Sequence, residues 1–140
     1  MTENVTENEV KILHGILIDV ENEHVSTVEI IDDVETRLEQ YYKLINCSMI
    51  DIVTRKIGKK YYDIVCDDCG TWKENAKISA INNLGEPQLV GNLVILGLAD
   101  EEGNETSLSP EDMTNIFSCV QNMSTHNFPK GYPMLTQCEV

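Results

Sequence analysis

Cys66-Asp67-Asp68-Cys69-Gly70 is the segment whose residue types and spacing come nearest to a recognisable chemistry. Two thiolates separated by two residues can chelate one zinc ion, and the glycine that follows permits the tight turn of a zinc knuckle. A structural zinc wants four ligands, usually through a second closely spaced pair, whereas Cys47, Cys119, His126 and Cys138 are scattered along the chain. Redox work at the same pair would need a thiol acidified by a helix start or a basic neighbour, and Asp67 and Asp68 act the other way. The segment is therefore expected to be a β-turn at the end of a strand with two incidental cysteines. Cys66 and Cys69 as zinc ligands are the minor alternative, and no cofactor is expected.

His14, His24 and His126 are the only histidines, and none has a sequence context that pairs it with a nucleophile. The G-x-S-x-G, Walker, G-x-G-x-x-G and H-E-x-x-H patterns do not occur. The adjacent acids Asp32-Asp33 and Asp67-Asp68 read as caps and loop residues rather than as an acid/base pair. Asp100 to Glu105 is acidic but lacks the alternating ligands and terminal glutamate of a calcium loop. No catalytic residue is assigned, and a metal-assisted enzyme stays a minor alternative. The single Trp72 has two readings, a core aromatic or an exposed anchor for a partner.

Charge says more than motif. The 24 acids against 10 bases give a net charge of −14 and a pI near 4.4, which argues against a broad basic face that grips phosphates. The excess is uneven: residues 1–40 carry −9, residues 41–80 carry +2 and residues 81–140 carry −7. The candidate partner-binding acids are Asp19, Glu21, Glu23, Glu29, Asp32, Asp33, Glu35 and Glu39 in the first block, and Asp100, Glu101, Glu102, Glu105, Glu111 and Asp112 in the last. The N-terminus has no basic or apolar leader, and no stretch approaches the ~20 apolar residues of a membrane span. The five cysteines read as reduced thiols, so a cytoplasmic location and no membrane partner are expected.

These residues must be held by a scaffold, and 41% apolar residues in periodic runs supply one. Val10 to Val20 and Val25 to Ile31 predict a hairpin, and Val34, Leu38, Tyr41, Tyr42 and Ile45 predict a helix over Val34 to Asn46 capped by Asp32-Asp33. Met49 to Ile57 and Lys60 to Cys66 predict a second hairpin around Gly58-Lys59, with Arg55, Lys56, Lys59 and Lys60 at its tip. Asp67 to Gln88 is expected to be irregular, with at most a helical turn around Asn75 to Ile81. Leu89 to Leu98 predicts one buried strand. Ser109-Pro110-Glu111-Asp112 predicts a capped helix start, and Met113, Ile116, Phe117 and Val120 its buried face through Asn122. The expectation is an α+β fold: a mostly antiparallel sheet of about five or more strands and two principal helices. Residues 1–9 would form a frayed acidic start, 10–123 one domain, and 124–140 an extended tail.

Taken together, the helix Val34 to Asn46 after a hairpin, the turn Cys66 to Gly70, Gly91-Asn92-Leu93-Val94-Ile95-Leu96-Gly97 and Thr106 to Asp112 resemble a small uncharacterised family. It is a domain of unknown function found in phages, plasmids and gut Gram-positive bacteria. The resemblance runs from about Lys11 to Pro129. Asp67 and Asp68 match the acidic or amide pair usual before the glycine, Cys69 departs from it, and Phe128-Pro129 is similar to a stretch after the last helix. The resemblance implies an α+β fold and a mobile-element setting, and no activity.

The expected function is non-enzymatic: binding of a host or phage protein, with the acids imitating the field of a nucleic acid to occupy the basic cleft of a nucleic-acid-binding host protein, such as a restriction or CRISPR nuclease. Direct nucleic-acid binding is not expected. The competing reading is a scaffolding module or homodimer whose acidity only maintains solubility.

Overall fold

The computed structural model describes residues 10–70, 73 and 76–140. Its elements are β1 (Ile12–Asp19), β2 (His24–Ile31), α1 (Arg37–Ile45), β3 (Ile50–Ile57), β4 (Lys60–Asp67), β5 (Ile78–Ile81), β6 (Pro87–Val90), β7 (Leu93–Leu96), α2 (Pro110–Ser118), β8 (Val120–Met123), β9 (Tyr132–Leu135) and β10 (Cys138–Glu139). Six strands form an antiparallel sheet in the order β10-β3-β4-β7-β1-β2. Four more form a second sheet in the order β6-β5-β9-β8, in which β5 and β9 run parallel. The fold is α+β and strand-dominated. Among the described residues no helix is long and apolar enough to cross a membrane.

Side chains alternate across a strand, so the larger sheet presents two apolar faces. Leu13, Leu17, Ile30, Val65, Val94 and Leu96 pack with Tyr41 and Ile45 of α1. Ile16, Ile18, Ile64, Cys66, Leu93 and Ile95 belong to the opposite core, with Ala80, Tyr132, Met134 and Leu135 of the smaller sheet and Ile116 of α2. The β1–β2 and β3–β4 hairpins fall where the β-branched runs predict them, the second turning at Gly58 with φ +61°. A Cβ on Gly58 would stand 2.6 Å from Asn115 Oδ1, so glycine serves both the left-handed turn and the approach of α2.

Several expectations need correction. The first helix starts at Arg37, because Asp33 holds the preceding turn: its carbonyl accepts from the Thr36 and Arg37 N–H groups and its carboxylate from the Glu35 N–H. Val34 is left outside the helix and 90% exposed, and Leu38 is 46% exposed. Residues 78–81 are a strand, not a helical turn. Leu89 to Leu98 is two strands of different sheets, because the chain turns at Gly91 (φ +77°) while Asn92 Oδ1 accepts from the Val20 N–H and its Nδ2 donates to the Leu44 carbonyl. The second helix ends at Ser118, where Thr136 N–H and Oγ1 both donate to the Cys119 carbonyl and Val120–Met123 pairs with β9; Phe117 is exposed.

The expected tail is built into both sheets. β9 lies between β5 and β8, and after a two-residue link β10 pairs with Ile57 and Lys56 on the outer edge of β3, with Tyr132, Met134, Leu135 and Cys138 buried. Along the stretch of β3 that β10 leaves unpaired, Asp51 Oδ1 accepts the Ile52 N–H and Arg55 Nη1 donates to the Thr54 carbonyl. Gln40 of α1 does the same at the end of β2, accepting the Ile31 N–H and donating to the Ile31 carbonyl, each at 2.8 Å. Strand edges are thus closed by side chains that mimic a neighbouring strand.

Candidate functional site

The candidate acids do not form one face. Asp19 closes the β1–β2 turn, accepting from the N–H and Nδ2 of Asn22; Glu21 accepts from Asn46 Nδ2; Glu23 pairs with Lys77 at 3.3 Å. These three lie at the opposite end of the hairpin from Asp32 and Asp33, and an eight-residue strand at roughly 3.4 Å per residue separates the groups by about 24 Å. Glu29 faces its cross-strand partner His14, 3.8 Å away. Glu35 and Glu39 are exposed at the start of α1. Asp100 Oδ1 accepts from the Glu102 and Asn104 N–H groups, leaving Glu101 and Glu102 exposed on that turn. Trp72 lies outside the described residues.

Three of the predicted acids, Asp32, Glu105 and Asp112, are not surface charges. Asp32 is ion-paired with Arg37 and with Lys11. Glu105 is buried, and burial, then the Asp63 charge, push its carboxyl up against the opposing pull of Arg37. The cysteine pair divides: Cys66 sits in the inter-sheet core, its thiol raised to about 11 by burial and then by Asp51, while Cys69 is exposed. Among the described residues no three metal-ligating side chains converge.

What the fold does bring together is a groove of about 280 Å³ between the start of α1, the free side of β3 and the end of the Asp100 turn. Val34, Leu38, Ile50 and Ile52 supply its apolar lining, and Arg37, Tyr41, Asn104 and Glu105 its polar one. Arg37 and Tyr41 are one helical turn apart and so project to the same side of α1. Burial, then the Glu105 charge, pushes the Tyr41 phenol up to about 12, with Arg37 opposing. Asp63 stands behind Glu105, accepting from Thr54 Oγ1 at 2.7 Å and from the Ala99 N–H at 2.9 Å. Among the described residues Tyr41 Oη and Arg37 Nε are buried without a hydrogen-bond partner. Sequence reasoning missed Arg37, Tyr41 and Asp63 as site residues. The available signals were the Arg37/Tyr41 spacing and Asp63, an acid interrupting the apolar run Tyr61 to Val65.

A second polar cluster, at the start of α2, has a different character. Asp112 accepts from the Ser109 N–H, Lys60 Nζ and Tyr62 Oη, and Asn115 Nδ2 donates to the Ile57 carbonyl and to Tyr62 Oη. These paired groups fasten the β3–β4 hairpin to α2, which is a structural duty.

No curated protein and no solved structure matches the chain. A family model described as Domain of unknown function (DUF3846) matches residues 13–121, a span that contains the whole groove and stops before β9. The protein belongs to the DUF3846 family.

Proposed function

We propose that this domain is a protein-binding module, not a catalyst, and that its acidic end captures a basic protein in the place of a nucleic acid. The observation that carries this reading is convergence. Two acidic segments far apart in sequence, Asp33–Glu39 and Asp100–Glu105, both contribute residues to one largely apolar groove, so charge that attracts at long range lies next to a surface that binds at short range. Within about 10 Å at 0.1 M salt such charges still steer a basic cleft. The scaffold reading through strand edges is the weaker one, because Asp51, Arg55 and Gln40 close parts of the edges it would use.

The test compares two variants in which acids are neutralised at different places. Glu35→Gln, Glu39→Gln, Glu101→Gln and Glu102→Gln together should slow association with basic nucleic-acid-binding proteins, flatten its salt dependence and abolish competition by duplex DNA. Glu21→Gln with Glu23→Gln, at the far end of the hairpin, should change little. Equal losses in both variants, or none in the first, would overturn the proposal.

A further inference from the structure

We infer that the groove beside α1 seats one large apolar side chain of an extended partner segment flanked by lysine or arginine, with a main-chain amide of that segment on the groove's polar floor. The inference deepens the protein-binding reading and rests on it. Its first support is apolar surface in one place. Val34 is 90% exposed, Leu38 46% and Ile52 41%, and all three line the same concavity. A concave apolar lining with a few convergent polar groups is the ordinary form of a recognition pocket.

The second support is independent of the first. Tyr41 is 2% exposed, yet its hydroxyl has no partner among the described residues, and the same holds for the Arg37 Nε–H. Both can donate, and a buried donor left unpaired retains its full desolvation cost until an acceptor arrives. Glu105, on the same lining, offers an acceptor. A peptide amide presents this complement, its oxygen to the two donors and its N–H to the carboxyl group. A carboxylate ligand would meet the charges of Asp32, Asp63 and Asp100 around Glu105, and a bare ammonium on the floor would meet Arg37. The cationic groups of the partner therefore belong on the rims, against Glu35, Glu39, Glu101 and Glu102.

Two blocked pentapeptides of equal charge test this against the whole domain: Lys-Lys-Leu-Lys-Lys and Lys-Lys-Gly-Lys-Lys, followed by calorimetry and amide-shift mapping. The leucine peptide should bind about tenfold tighter or more, the difference expected for burying one leucine side chain. Its shifts should centre on Val34, Leu38, Tyr41, Ile52 and Glu105. Leu38→Ala, at a half-exposed position where folding is not at stake, should cut the preference for leucine at least threefold, on the order of the loss of a few buried methylenes. Tyr41→Phe should weaken both peptides while leaving the thermal midpoint unlowered, since the hydroxyl it removes has no partner. Equal, salt-sensitive binding of the two peptides overturns the apolar seat and leaves electrostatic capture standing. Binding of neither overturns both readings, and a leucine preference whose shifts lie away from Leu38 and Ile52 overturns the placement.

Discussion

Ser109 and Asp112 exchange hydrogen bonds across the first turn of α2, the Ser109 side chain accepting from the Asp112 N–H and the Asp112 carboxylate from the Ser109 N–H. This was legible in the sequence because a capping box is a four-residue event that needs no tertiary partner. Ser109→Ala should cost about 1 kcal/mol in a urea melt, and a loss of only a few tenths would mean that Asp112 alone holds the start. Asp112 has further duties that no local pattern reveals. Burial pushes its carboxyl up, but the Ser109 N–H, the Lys60 ammonium, the Ser109 hydroxyl and the Tyr62 hydroxyl outweigh it and hold the pKa at about 2, below the ordinary 3.8. A carboxylate with a depressed folded-state pKa stabilises the fold fully above its unfolded value and loses that contribution as pH falls through the folded one. The stability gap between the wild type and Asp112→Asn should therefore be constant from pH 7 to about pH 5 and close between pH 4 and pH 2. A gap that persists at pH 2 would show that geometry rather than charge matters at this position.

At the scale of elements, what the sequence discloses depends on where each element's hydrogen bonds end. The two long hairpins were readable because β-branched runs flank polar or glycine turns. The split of β6 from β7 was not, since it depends on Asn92 reaching Val20 and Leu44, residues brought near only by the finished fold. The end of α2 was also hidden: Val120 continues the helical period, but Thr136 claims the Cys119 carbonyl and β9 claims the strand. Gln40 shows the same dependence in reverse, a solvent-side helix residue that terminates a strand of another element. Gln40→Ala should cost about 1 kcal/mol, the net worth of a hydrogen bond or two at a partly exposed site. Amide exchange offers the sharper check. The Ile31 N–H should exchange faster in the variant while the Asp32 N–H, bonded to the Lys11 carbonyl, keeps its protection. Unchanged exchange at Ile31 would refute the edge-closing role.

For the whole molecule, the sequence conveyed the sign and unevenness of the charge but not its shape. Block sums grouped Asp19, Glu21 and Glu23 with Asp32 and Asp33, and the β1–β2 hairpin then carried them to opposite ends. The groove was least legible, because its floor joins Arg37 and Tyr41 to Glu105 across the sheet and its apolar lining uses Val34 and Leu38, which helical periodicity assigns to the core. The last consequence concerns the order in which a growing chain can finish this architecture. Residues 132–139 complete both sheets: β9 separates β5 from β8, and β10 meets a strand laid down some 80 residues earlier. On a ribosome the first hairpin and α1 can assemble as they emerge, but the inter-sheet core stays open until Glu139 has left the exit tunnel. A nascent chain stalled with Tyr132 still inside the tunnel should remain protease-sensitive throughout, and one extended until Glu139 has cleared the tunnel should become resistant in a single step. Stepwise protection appearing before β9 emerges would show instead that the larger sheet stands alone. Synthesis thus leaves an interval in which an acidic, half-closed chain depends on its own charge, rather than its packing, to stay apart from its neighbours.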